Sequence, residues 1–329
     1  MTPLRIGILG AGGIAARHAA AIAAHPEAAT LVACCGRDPD KAAAFAAAHG
    51  GRAYAGRERM LDEAALDILV VALPPFAHSD EVESAARRGI HLLLEKPIAL
   101  DGDHADRMVA AAEAAGIKTQ VGFMGRFGAA VERWTALAAA GETGRPGLYS
   151  ARFHCNALHA PWWREKAKSG GQMVEQLIHM IDLARYFLGD PATVYARTAT
   201  FFHGGVERYD SDDLSAMLLG YDDGRVALLN ATNGAVPGRW EKEIHLVAER
   251  LTGHFTDWNT ATLTRSEGEP AAERIAETRD VFAAQLLDLV DAIHSGGPAR
   301  TPIRDGARSL HLALAALRSA EERREVHFD

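Results

Sequence analysis

Through the first 122 residues, short apolar runs alternate with longer segments that repeat at helical spacing. LRIGILG, TLVACCG, LDILVVALPP, IHLLLEKP and KTQVGF hold almost no polar interior position, as strands covered on both faces require. Between them lie alanine-rich helical stretches that stop at glycine. In DPDKAAAFAAAHG, Asp38 is placed as the cap and Pro39 in the first turn. Such alternation predicts parallel βαβ units in a doubly wound sheet. Beyond residue 122 the pattern changes. A helix is expected over Phe127–Ala140, a strand at GLYSARFHCNA and a helix over Met173–Leu188. The strands TVYARTATFF, LSAMLLGY, RVALLNAT, EKEIHLVA and TATLTR follow, two of them joined as a hairpin by YDDGR. Helices over Asp280–His294 and Arg304–Glu322 end the chain. The predicted class is α/β, with a doubly wound domain over residues 1–122 and an α+β domain with a largely antiparallel open sheet over residues 123–329.

Composition narrows the function classes. A formal net charge of -8 over 329 residues argues against nucleic acid as partner, since phosphate binding calls for a basic face. No segment has the apolar length to span a bilayer. Cys34, Cys35 and Cys155 make neither a disulfide framework nor a Cys-x-x-Cys pair, which fits a reducing, cytoplasmic setting. The first residues could be taken for an export leader, but Arg17 and His18 interrupt the apolar run and the glycines suit a different role.

That role lies in GAGGIA, Gly10–Ala15, a G-x-G-x-x-A pattern between a strand and a helix. Gly10 permits the tight turn, Gly12 admits a pyrophosphate to the backbone, and Ala15 lets helix and strand pack closely. The helix N-terminus offers unsatisfied amides to the anion. This predicts a Rossmann domain binding a nicotinamide dinucleotide. An acidic residue at the end of the second strand would hold the ribose hydroxyls of NAD, but the chain reads ACCGRDPDK, with Gly36 at that place and Arg37 after it. A small residue leaves room for a 2′-phosphate and a guanidinium can fork onto it, so NADP is favoured over NAD. The alternative is that Asp38 does the acid's work, or only caps its helix.

Ligands of doubly wound sheets lie beyond the carboxyl ends of the strands. Lys96 stands at such an end, as do Pro74 and Pro75, with His78 opening the next helix. The dinucleotide site is therefore expected to draw on Gly10, Gly12, Gly13, Ile14, Gly36, Arg37, Leu73, Pro74, His78, Glu95 and Lys96. Farther on, Glu175, His179, Asp182 and Tyr186 recur at helical spacing, opposite Met173, Leu177, Met180, Ala184 and Leu188. Such a stripe is ordinarily a solvated face. The preceding SGG and the pairing with Lys96 argue for a site instead. Glu175 and His179 alone do not make a metal site, and no metal is expected. Arg126, Trp162, Trp163 and Asp182 are candidate substrate contacts.

GAGGIAARHAAAI, ALPPFAHSDEVESAARRGIHLLLEKPIAL and GGQMVEQLIHMIDLARYFLG together resemble the glucose–fructose oxidoreductase / inositol dehydrogenase / MocA (Gfo/Idh/MocA) family, in order and over nearly the whole chain. The resemblance implies an NAD(P)-dependent oxidoreductase of sugars, polyols and related compounds, assembling as a homodimer or homotetramer through the open sheet. It implies that Lys96 binds the reacting oxygen and that His179 acts as acid/base. Glu175 stands where many members have aspartate. A non-catalytic dinucleotide sensor of the same fold, or a reductase of a dihydrodiol, imine or nucleotide-linked sugar, are the alternative readings.

Overall fold

The computed structural model describes residues 2–267 and 271–328, and its contacts divide the chain into two compact units. The first comprises Met1–Met124 with Asp280–Ala307, the second Gly125–Arg279 with Arg308–Asp329.

In the first unit the strands are β1 (Leu4–Leu9), β2 (Ala29–Cys35), β3 (Arg52–Tyr54), β4 (Ile68–Val71), β5 (His91–Leu94) and β6 (Thr119–Val121). They alternate with α1 (Gly13–Ala24), α2 (Pro39–His49), α3 (Arg57–Glu63), α4 (Glu81–Ala86) and α5 (Gly102–Ala114). The sheet runs β3-β2-β1-β4-β5-β6, and its strand pairings are parallel among the described residues. The apolar runs explain this arrangement: Ile68–Val71 and Leu92–Leu94 are wholly buried, which only helices on both faces achieve. Ala15, Ala19 and Ile22 of α1 pack into one core with Ile6, Ile8 and residues of the later helix α9, described below. Small side chains there let helix and sheet approach closely.

The short strand β3 and helix α3 have no counterpart among the sequence expectations. Segment 280–307 packs on this unit because it completes the edge strand β6. Val121 N–H donates to Thr301 O at 2.7 Å, Gln285 Nε2 donates to Val121 O at 2.6 Å, and Thr301 N–H and Oγ1 donate to Gln120 Oε1 at 2.8 and 2.7 Å. An open sheet edge is thereby covered.

The second unit carries α6 (Ala129–Ala139), β7 (Pro146–His154), α7 (Lys166–Ser169) and α8 (Ile178–Leu188). Then come β8 (Thr193–Ala199), β9 (Leu214–Gly220), β10 (Val226–Thr232), β11 (Glu241–Ala248), β12 (Leu251–Asp257), β13 (Thr260–Arg265) and β14 (Ala272–Ala276). Helices α9 (Val281–Ser295) and α10 (Ile303–Glu322) and the short β15 (Val326–His327) end the chain. The nine strands run β14-β13-β12-β11-β7-β10-β9-β8-β15. Among the described residues the pairings are antiparallel except β7 with β10. The predicted hairpin joins β9 to β10, with Gly224 at φ +87°. Along β9, buried Ser215, Met217 and Leu219 alternate with exposed neighbours, the period of a sheet covered on one face. Helix α8 covers the inner face, and Tyr149 of β7 donates to Met180 O at 3.1 Å.

Candidate active site

In the first unit the chain order places a switch point between β1 and β4, where the connections diverge. Four strands end there. After β1, Gly10 sits at φ +115°, and a Cβ on it would lie 2.4 Å from Ala72 O, so no other residue fits this turn. Gly12 caps α1 without a side-chain hydrogen bond, and the first turn holds no acidic residue. A Cβ on Gly12 or Gly13 would meet nothing within 4 Å. The first intrahelical bond is Ala16 N–H to Gly12 O, which leaves the amides of Gly13, Ile14 and Ala15 without intrahelical partners. A small, uncrowded, uncapped cradle of this kind fits a pyrophosphate.

After β2, Gly36 is half-buried and Arg37 is exposed, with no ion pair among the described residues. Asp38 is committed elsewhere: its Oδ1 accepts from the Asp40 and Lys41 amides at 3.1 and 3.3 Å, the capping role weighed in the sequence. After β4, Leu73 and Pro74 are half-buried. The His78 ring is enclosed, its Nδ1 2.5 Å from Glu81 Oε1. Burial alone would raise the Glu81 carboxyl, but the hydrogen bond and charge of His78 and the Ser79 amide outweigh it and hold the group at about 2. After β5, Lys96 is half-buried and joined to Pro97 by a cis peptide. Glu95 is buried, bonded to His18 Nε2 of α1 at 2.7 Å and pressed under Gly122, where a Cβ would lie 2.7 Å from Oε2. The side chains of His78 and Glu95 are thus engaged within the protein.

In the second unit, Gly170 and Gly171 stand at φ +78° and +86°. A Cβ on Gly171 would strike Asp212 Oδ2 at 2.8 Å. The helix expected over Met173–Leu188 forms in two parts: Met173–Leu177 is a π-helical turn and α8 follows. Such bulges widen one turn and are frequent at functional sites. Its polar stripe is not solvated, because His179 and Asp182 are buried and Glu175 is half-buried. The His179 ring lies edge-on to Phe153, centroids 6.1 Å apart. Arg126 and Asp182 face each other: Nε to Oδ2 is 2.8 Å and Nη2 to Oδ1 is 2.6 Å. The guanidinium also lies over Tyr186, and Ser309 Oγ donates to Asp182 Oδ1 at 3.2 Å. Trp163 is buried against the His159 ring at 4.3 Å, and Trp162 is half-buried.

Two known sequence families account for most of the chain. Residues 4–123 match the model described as "Oxidoreductase family, NAD-binding Rossmann fold", and residues 131–252 match the "GFO/IDH/MocA C-terminal domain". The chain belongs to the Gfo/Idh/MocA oxidoreductase family. It is 28% identical to the inositol 2-dehydrogenase of Rhizobium meliloti (strain 1021), over 98% of each chain. It is 31% identical to D-xylose 1-dehydrogenase (NADP(+)) 2 of Haloferax volcanii, over 70% of this chain and 69% of that protein. Levoglucosan dehydrogenase in complex with NADH and L-sorbose shares the fold, with a TM-score of 0.92, 21% identity and full coverage of both chains. As a Gfo/Idh/MocA member, the chain is an NAD(P)-dependent oxidoreductase acting on CH–OH groups.

The family assignment directs attention to polar groups that the sequence did not single out. Gln172 Oε1 accepts from Ser215 Oγ at 2.8 Å, and Gln176 Nε2 donates to Phe153 O at 3.0 Å. Cys155 Sγ lies 3.3 Å from Asn233 Oδ1, and burial pushes its thiol up to about 11, so it stays a neutral donor. Gln172 Nε2, Gln176 Oε1 and Asn233 Nδ2 are buried with no hydrogen-bond partner among the described residues. Native interiors meet such groups with ordered water or ligand. Gln172, Glu175, Gln176 and His179 recur at helical spacing, so the two glutamines were a visible extension of the stripe. Their strand partners were not visible, because they depend on sheet register.

Proposed function

We propose that residues 1–122 bind the dinucleotide, with NADP preferred, and that residues 123–329 bind a polyhydroxylated substrate and carry the subunit contact. The reaction is reversible oxidation of a carbinol to a carbonyl in a sugar, polyol or related small molecule. The observation that carries the reading is the shared strand-end edge of the first sheet. It offers the open cradle at Gly12 and Gly13, an exposed Arg37 without an ion pair among the described residues, and Lys96 at the end of β5.

Gly10, Gly12, Gly13 and Ile14 would hold the pyrophosphate, Gly36 and Arg37 the 2′-phosphorylated ribose, and the backbone around Leu73, Pro74, His78, Glu95 and Lys96 the rest. Commitment of Asp38 Oδ1 to its helix cap supports NADP over NAD, because a carboxylate already bonded to two amides is a poorer partner for the ribose hydroxyls. The bound nicotinamide supplies the hydride acceptor, or the donor in reduction. The protein's own groups handle the proton and the oxygen. His179 takes the hydroxyl proton, as an imidazole titrating near neutral pH is suited to do. Lys96 holds the same oxygen and stabilises negative charge on it. Glu175 orients that histidine. The buried amides of Gln172, Gln176 and Asn233 suit the remaining hydroxyls of a polyol. Similarity to inositol and D-xylose dehydrogenases supports this substrate class.

A second copy of the chain is proposed to cover the exposed sheet face, where Tyr195, Leu218 and Leu228 form a cross-strand row. Three unpaired, buried cysteines suit a cytoplasmic setting. No helix among the described residues is long and apolar enough to cross a membrane. A panel of sugars and polyols with NADP and NAD, read by nicotinamide absorbance, tests the activity. Turnover of at least one polyhydroxylated compound, faster with NADP, is expected; none with either cofactor would defeat the reading.

A further inference from the structure

On the exposed face of the nine-stranded sheet, one row of side chains crosses from β8 to β14 in unbroken register. It reads Tyr195, Leu218, Leu228, Ser150, His245, His254, Thr262 and Arg274. His245 and His254 are directly opposed on β11 and β12, and Glu243 lies two residues before His245, on the same face.

We propose that Glu243, His245 and His254 form a site for a divalent transition metal of the zinc class. One donor atom from each lies within 4.8 Å of the other two. The imidazoles stack at 4.2 Å with 20° between their planes. His254 Nε2 is buried and makes no hydrogen bond among the described residues; it faces Glu243 Oε2 at 3.9 Å. That gap is too long for a hydrogen bond. Two donors at ~2.1 Å from a tetrahedral ion stand ~3.4 Å apart, so side-chain rotation that draws the donors together, and turns one of the stacked rings to aim its nitrogen at the shared ion, closes the set.

Two nitrogens and a carboxylate oxygen are a donor set that zinc, nickel and copper accept and that calcium and magnesium do not favour. The groups facing the cluster are Arg152, whose Nη2 contacts Glu243 Oε2 at 2.7 Å, and the neutral Ser150 and Thr262. Arg152 fixes the position of this carboxylate, as outer partners of ligating carboxylates do. Three protein donors on an exposed face leave a coordination position open to water or to a side chain of a second copy.

The test uses the full chain after exhaustive dialysis against EDTA, titrated calorimetrically with zinc chloride at pH 7.5. The expected result is one tight equivalent in the parent protein. His245→Asn, His254→Asn and Glu243→Gln should each weaken it by tenfold or more, and His49→Asn, at an exposed histidine of the first unit, should leave it unchanged. Zinc should raise the melting temperature of the parent and not that of His245→Asn. If His254→Asn does not fold, the other two variants decide. Absence of a tight equivalent in the parent, or parent-like affinity in His245→Asn and Glu243→Gln, overturns the proposal.

Discussion

At the scale of single residues, the proposed preference for NADP rests on Arg37. Its side chain is exposed and has no ion pair among the described residues, while Asp38 is spent on two amides of α2. Arg37→Ala should raise the KM for NADP by about tenfold or more through loss of the forked phosphate contact, with little change for NAD. Equal shifts for both cofactors would remove Arg37 from the site. The Arg126–Asp182 pair makes a different kind of claim. Both members are buried, so Arg126→Ala strands a carboxylate and should cost about 3–5 kcal/mol. Arg126→Met combined with Asp182→Leu should recover most of that in urea unfolding. Glu81 sets a pH dependence. Its carboxyl lies near 4.5 in the unfolded chain and at about 2 in the fold. The stability it contributes is complete above 4.5 and lost as pH falls towards 2. Glu81→Gln should flatten the fall in urea midpoint across that window.

Among the elements, the turn from β1 into α1 separates structural glycine from ligand-facing glycine. Gly10→Ala would force a Cβ to 2.4 Å from Ala72 O at φ +115°; a loss of about 2–4 kcal/mol is expected. Gly12→Ala meets open space, so its melting temperature should match the parent while the KM for both dinucleotides rises. Equal melting losses in the two variants would contradict the division. This turn was legible in the sequence, because a glycine pattern between a strand and a helix has one dominant cause. So were the buried strands Ile68–Val71 and His91–Leu94, whose apolar runs admit few alternatives. The π-helical turn at Met173–Leu177 was not, since one inserted residue leaves the apolar spacing nearly unchanged. Nor were β3 and α3, at three and seven residues too short for periodicity to register. The His18–Glu95 bond joins positions 77 apart, and no local pattern encodes such a pairing. Amphipathicity likewise marked helix α9 without saying which unit it packs on.

For the whole molecule, the exposed sheet face is the feature the monomer leaves unexplained. Leu218 and Leu228 are opposed on neighbouring strands and 40% and 44% exposed, with Tyr195 alongside. Contiguous apolar surface of this kind supports the proposed contact with a second copy. Leu218→Lys with Leu228→Lys should lower the mass found by light scattering to that of a single chain; an unchanged mass would place the contact elsewhere. The central claim is the pair of roles proposed for Lys96 and His179: holding the reacting oxygen and moving its proton. Steady-state turnover of Lys96→Ala and His179→Ala on the best polyol substrate, with NADP affinity measured alongside by fluorescence, tests it most directly. The account predicts that each variant loses about 10²–10⁴ in kcat while the NADP Kd stays within about threefold of the parent. Parent-like turnover in either variant would contradict it.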